Sequence, residues 1–166
     1  MMGAGKSSVG RCLERRTGRS RFDTDEMAAF KLGLSVREIF SKFGEEKFRE
    51  VETQMLRELD PAKAMIIVTG GGIVLRNENV DLMRQLGTIV LLEADEDTLF
   101  ERASRRKNRP LLQTENPRTT FAELLRTRTP LYAKIADIRI DTSSLNRDDA
   151  AEMILNKIGN LFSTKQ

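Results

Sequence analysis

Met1-Met2-Gly3-Ala4-Gly5-Lys6-Ser7-Ser8 reads as the second half of a phosphate-binding loop, G-x-x-x-x-G-K-[ST]. The opening glycine of that pattern would stand immediately before Met1. Gly3 and Gly5 let the backbone curl so that N–H groups point at phosphate oxygens. Lys6 supplies a mobile positive charge, and the Ser7 hydroxyl can ligate Mg²⁺. The run that follows predicts a helix from Ser7 to about Thr17, whose positive end would face the same phosphates. Taken alone, Gly-x-Gly-Lys-Ser is a weak signal, and the rest of the chain has to decide.

Outward from the loop, helices and short apolar runs alternate. Arg21-Phe22 leads to Asp23-Thr24-Asp25, read as a strand end opening onto a loop. Short helices are expected at 26–32 and, from the capping box Ser35-Val36-Arg37-Glu38, at 36–43. Gly44 separates the latter from an amphipathic helix at 45–59. Met65 to Val68 is a continuous apolar run, the mark of a strand buried on both faces, and it breaks at Gly70-Gly71-Gly72. A helix at 80–86, a strand at 88–92 and a helix from about 93 to 105 follow. Phe121 to Arg128 is expected to be helical and to end before Pro130. Ile138 to Asp141 is a weaker strand interrupted by Arg139, and a closing helix spans 148–162. Strands alternating with helices predict a single α/β domain over 1–166, three layers deep, with a parallel sheet. Ligands of such sheets sit beyond the carboxyl ends of the strands, where the loop, Asp23-Thr24-Asp25 and the triple glycine all fall.

Composition narrows the chemistry. The chain has 166 residues, 39% hydrophobic and 32% charged, with a net charge of +3. No apolar run approaches the ~20 residues of a membrane span, and no signal peptide is visible, so a cytoplasmic protein is expected. Cys12 is the only cysteine and histidine is absent, which removes disulfides, makes zinc improbable, and leaves proton transfer to Asp, Glu, Lys or water. The sequence pI of about 9.2 invites a nucleic-acid reading. Arg102 to Arg109 offers no aromatic residue to stack on bases, however, and that reading is set aside.

Asp23 and Asp25 place two carboxylates at i, i+2, suited to Mg²⁺ and to a substrate hydroxyl, or more plainly to an N-cap and a solvated turn. Three consecutive glycines suit a place where a ligand approaches the backbone, or a loop. Arg109 precedes Pro110-Leu111-Leu112, a basic tip with an apolar anchor of the kind a closing lid needs. Arg49, Arg102 and Arg128 are candidate anion contacts, or surface charges.

Together these motifs resemble shikimate kinase, a small enzyme of the nucleoside monophosphate kinase-like P-loop group. The resemblance rests on Met2-Gly-Ala-Gly-Lys-Ser7, Phe22-Asp-Thr-Asp25, Phe40, Glu46-Lys-Phe-Arg49 with Glu52, Gly70-Gly-Gly72, Arg109-Pro-Leu-Leu112, Arg128-x-Pro-Leu-Tyr132 and Asp141-Thr142. It implies a P-loop kinase fold of strand order 2-3-1-4-5, a substrate-binding helical segment at about 24–52 and a lid at about 105–120. It also implies ATP-dependent phosphorylation of the 3-hydroxyl of shikimate by a monomer that binds no nucleic acid or membrane.

By motif match, Gly3, Ala4, Gly5, Lys6, Ser7 and Ser8 would hold the nucleotide phosphates. Ser7 and Asp23 would hold Mg²⁺, and Asp25 would bind the shikimate hydroxyls and accept the proton. Arg49 and Arg128 would grip the carboxylate, with Gly71 offering its backbone and Phe40, Phe48 and Glu52 shaping the pocket. Arg109 would reach the transferring phosphate. Arg102 and the loop after Thr142 would flank adenine, where Arg147 replaces a proline common in relatives. The resemblance places the family's first, central strand ahead of Met1, so the sequence is expected to be an N-terminally shortened form of an active kinase. A gluconate kinase-like enzyme and a nucleotide-binding module without activity are the alternatives.

Overall fold

The computed structural model describes residues 1–105 and 112–163. Four short strands form two parallel pairs. β1 (Arg21–Asp23) pairs with β2 (Ile66–Val68), with Phe22 opposite Ile67. β3 (Val90–Glu93) pairs with β4 (Ile138–Asp141), with Leu92 opposite Ile140. The described residues hold no hydrogen-bonded ladder between β2 and β3. The two pairs are those that the order 2-3-1-4-5 leaves when its central strand is set aside. An apolar seam lined by Ile67, Thr69, Met83, Ile89 and Val90 runs between them.

Seven helices surround the strands among the described residues: α1 (Lys6–Thr17), α2 (Thr24–Leu32), α3 (Val36–Arg57), α4 (Asn77–Leu86), α5 (Glu96–Ser104), α6 (Pro117–Ile135) and α7 (Arg147–Ser163). α1 lies on β1, β2 and α7, and α7 lies on β4, so Val9, Cys12, Ile140, Ala151 and Ile154 meet in one core. Gly10 permits that approach, because a Cβ there would stand 2.5 Å from a Val68 methyl. A second, smaller cluster of Ala28, Ile39, Phe48, Val51 and Met55 joins α2 to α3. The α/β class and the parallel pairing are as the alternation of elements predicts.

Two local expectations change. Asp23-Thr24-Asp25 is not a loop: Asp23 ends β1 and N-caps α2, accepting the Asp25 N–H at 3.2 Å. By contrast, the break expected at Gly44 is present: α3 consists of two helical stretches that meet at a kink, where Gly44 is non-helical at φ 79°, ψ 174°. α6 does not stop before Pro130. It continues to Ile135, because Phe121, Arg128 and Tyr132 share a buried stripe that ending the helix would expose. The Thr129 hydroxyl donates to the Leu125 carbonyl at 2.7 Å, inside the turn that Pro130 deprives of a backbone donor. The sequence reading also missed a single 3₁₀ turn at Ile73–Leu75, directly after the triple glycine.

Candidate active site

The phosphate loop has the backbone its sequence calls for. Gly3 and Gly5 have φ of 80° and 84°, the left-handed region that side chains avoid. Gly5 N-caps α1 with no side-chain cap, and the first turn carries no acidic residue. The first N–H groups of α1 and its positive end therefore face the cleft without an internal anion. At Gly3 a Cβ would overlap the Leu99 carbonyl oxygen and lie 2.9 Å from its carbon, so α5 braces the loop from behind. Ala4 is buried beneath it.

A cleft of about 530 Å³ opens in front, lined by Gly3, Gly5, Lys6, Ser7, Ser8, Asp23, Asp25, Gly70, Gly71, Arg102 and Arg105. The Lys6 ammonium donates to the Met1 carbonyl at 2.7 Å. The Ser7 hydroxyl donates to Asp23 Oδ2 at 3.1 Å, and Arg21 approaches the same oxygen at 3.4 Å. Asp23 thus serves at once as N-cap and as partner of the loop serine. Asp25, two residues on, faces the same cleft.

The triple glycine closes the far wall. A Cβ on Gly70 would stand 2.6 Å from Asp25 Oδ1 and 2.7 Å from Glu52 Oε1, and one on Gly72 would stand 2.7 Å from Arg49 Nη1. Each flanking glycine thus lets a charged side chain lie against the backbone. Gly71 has more room, and its carbonyl accepts the Tyr132 hydroxyl at 2.6 Å. Gly70 is held from the other side, its N–H donating to buried Thr24 at 3.2 Å.

Arg49, Glu52 and Arg128 are buried although charged, unlike the surface residues their helices would ordinarily present. Arg49 Nη1 donates to Glu52 Oε2, and its Nε and Nη2 donate to Glu45 Oε1 at 3.2 and 2.8 Å. The guanidinium lies 5.2 Å from the Phe48 ring centroid, and Phe40 tilts against Phe48 at 4.9 Å. Burial alone would lower the Arg49 pKa, but Glu52 and Glu45 outweigh it and hold the value above the ordinary one. Burial drives Glu52 the other way: its carboxyl is pushed up to about 7, despite Arg49 and with help from Asp25 and Glu45. Glu52 Oε1 has no hydrogen-bond partner among the described residues.

The folded state therefore holds the Glu52 proton more tightly than the unfolded chain, whose carboxyl titrates near 4.5. The stability this contributes is complete below that value, declines as pH rises, and is gone above about 7. Glu52→Gln stays neutral throughout. From pH 5 to pH 8 its unfolding free energy should gain on the wild type by about 3 kcal/mol at most, measured by urea denaturation. A difference independent of pH would show that Glu52 does not titrate in this range.

Tyr132, the only tyrosine of the chain, had no role assigned from sequence. It lies one helical turn beyond Arg128, and burial raises its pKa while Arg128 and, more weakly, Arg49 pull it down. Arg102 joins α5 to the loop after β4, donating to the Thr142 and Ser143 carbonyls at 3.0 and 3.2 Å. Arg147, by contrast, is exposed and pairs with Asp148 at 3.4 Å, and it does not line the cleft. Arg109, and with it the tip of the expected lid, lies outside the described residues. Thr24 and Glu45 were also missed. The spacing of Glu45 to Arg49 is visible in the sequence, but at i, i+4 it reads as an ordinary helix-surface pair.

A phosphate loop at the head of a helix, facing carboxylates across one cleft of a parallel α/β core, defines a small P-loop phosphotransferase. The family pattern described as "Shikimate kinase" matches residues 2–159. A shikimate kinase of Thermodesulfovibrio yellowstonii is 44% identical over 164 residues, covering 99% of this chain and 94% of the relative. One of Chromobacterium violaceum is 43% identical over 146 residues, covering 88% of this chain and 79% of the relative. Among solved structures, shikimate kinase from Acinetobacter baumannii in complex with shikimate superposes with a TM-score of 0.91 at 40% identity, covering 96% of this chain and 89% of the other. The enzyme from Aquifex aeolicus gives 0.82 at 31% identity, with 96% and 92% covered. The chain belongs to the shikimate kinase family.

Proposed function

We propose that this protein transfers the γ-phosphoryl group of ATP to the 3-hydroxyl of shikimate, giving shikimate 3-phosphate and ADP in aromatic amino acid biosynthesis. The observation that carries the reading is one cleft with a phosphate loop on one wall and Asp25 on the other, in a chain 44% identical to a shikimate kinase over nearly its full length. The loop amides and Lys6 hold the β- and γ-phosphates. Arg102 and the loop after Thr142 flank the base, with Arg147 at the margin. Arg109, outside the described residues, is assigned to the transferring phosphoryl group by the family pattern alone. Phosphoryl transfer asks mainly for positioning and charge stabilisation, which these groups supply without a histidine.

Ser7 and Asp23 suit Mg²⁺, since a hydroxyl and a buried carboxylate, oxygens 3.1 Å apart, meet on the cleft wall where a phosphate-bound hard cation would sit. When bound, that ion would neutralise charge on the phosphates. Asp25 orients the attacking hydroxyl and takes its proton. Arg49 and Arg128 hold the substrate carboxylate through planar, charge-assisted contacts. Gly71 offers its backbone to a ring hydroxyl, and Phe40, Phe48 and Glu52 close the apolar side. No described helix is long and apolar enough to cross a membrane, and the reading is of a monomeric cytoplasmic enzyme.

A coupled ADP-release assay with and without shikimate tests it. Release that depends on shikimate is expected. Nucleotide binding without turnover would instead identify a module without activity, and release with gluconate in place of shikimate a different small-molecule kinase.

A further inference from the structure

The described contacts of Arg49 leave one edge of the guanidinium exchangeable. Phe48 stacks on it at 5.2 Å and the Gly72 backbone lies against it, so its plane is fixed. Nη1 is committed to Glu52, whose side chain is 0% exposed and has nowhere to go. The Nε and Nη2 edge is held by Glu45 alone in these contacts, and the Glu45 side chain is 42% exposed. That edge, with two parallel N–H groups, is the one a planar carboxylate takes most readily. Glu45 directly follows Gly44, the non-helical residue of α3, around which nothing stands within 4 Å of an added Cβ. Its carboxylate can therefore turn out to water without unwinding the turn that carries Arg49.

We propose that Glu45 is a placeholder, whose carboxylate occupies the Arg49 edge used by the substrate carboxylate and must be displaced for substrate to bind. The proposal rests on the assignment of Arg49 to that carboxylate. An incoming anion has to outcompete a carboxylate already tethered one helical turn away. A plain carboxylate or inorganic anion brings nothing further and loses. A ligand that also engages Arg128 and offers hydroxyls to Asp25 makes additional contacts and wins. Glu45 thereby weakens every anion by a similar factor: it leaves the ratio between ligands unchanged and sets the threshold that only a ligand with the full set of contacts passes at working concentration.

The test is made on the full chain with Glu45→Gln, which keeps the shape and removes the charge, and with Glu45→Asp, which keeps the charge and shortens the reach. An exchangeable, partly exposed pair predicts a shikimate KM about fivefold lower in Glu45→Gln, with the effect falling on KM rather than on kcat. Cyclohexanecarboxylate, which lacks the ring hydroxyls, should become a competitive inhibitor against shikimate several-fold more potent than with wild type. Glu45→Asp should shift both quantities in the same direction by a smaller factor. Unchanged KM and unchanged inhibition in Glu45→Gln would overturn the placeholder, and so would a fall in kcat alone. Arg49→Ala separates the two assignments. A raised KM there, with no effect of Glu45→Gln, leaves the carboxylate site standing and removes the placeholder. An unchanged KM in Arg49→Ala removes both.

Discussion

Asp25→Asn should retain nucleotide binding and lower kcat by about 10²–10⁴-fold, the range for loss of a positioned general base. Asparagine has nearly the same shape, and the α2 terminus is held by Asp23, whose side chain caps the helix through the residue-25 backbone. The fold around the position therefore survives. What disappears is the one carboxylate of the pair that faces the cleft without the loop serine as its partner: Asp23 is bonded to Ser7 at 3.1 Å, and Asp25 stands across Gly70 from Glu52. The same change removes a negative neighbour that helps to raise the Glu52 pKa, so Glu52 should ionise at lower pH in the variant. The coupled assay gives kcat and titration with ADP gives binding. A kcat within threefold of wild type would remove Asp25 from the proton-transfer step.

The second large effect is expected at Gly3. An alanine there would have to adopt φ near 80° and would drive its Cβ into the Leu99 carbonyl of α5. Backbone cannot step aside as the tip of a side chain can, so loop and helix must separate. Gly18 provides the control. It has φ of 70°, yet nothing lies within 4 Å of its added Cβ. Gly18→Ala should cost only the left-handed strain of about 1–2 kcal/mol. Gly3→Ala should add an overpacking cost of about 1–3 kcal/mol and displace the amides proposed to receive phosphate. Thermal unfolding should show Gly3→Ala several degrees below Gly18→Ala, with nucleotide affinity reduced only in the former. Equal melting temperatures would mean that the loop is not braced by α5.

Much of this arrangement was readable from local chemistry. β4 falls on Ile138–Asp141 as expected. Arg139, which weakened that expectation, points outward and bonds Glu93 on the neighbouring strand at 3.1 and 2.8 Å while Ile138 and Ile140 point in. Alternation had encoded the strand all along. The loop was legible from its own glycines, lysine and serine, whereas the Asp-x-Asp pair and the arginines stood out only through the family pattern they share with it.

Tertiary packing decided the rest. Pro130 reads as a helix stop, but the stripe from Phe121 to Tyr132 outweighs one lost hydrogen bond. The three glycines look alike in sequence. Only the fold shows that Gly70 accommodates two carboxylates, Gly72 a guanidinium, and Gly71 chiefly a hydrogen bond from Tyr132. Glu45 to Arg49 follows the commonest helix pairing there is, and nothing in that spacing tells that its arginine is buried.

The placement of Tyr132 has a practical consequence. The chain contains no tryptophan and a single tyrosine, so its emission on excitation beyond the phenylalanine band comes from one side chain. That phenol is bonded to the carbonyl of Gly71, and Gly71 lines the cleft. The unmodified protein thus carries an intrinsic optical reporter bonded to a residue that lines the cleft. Ligand entry could be followed in real time from its quenching, with no label added.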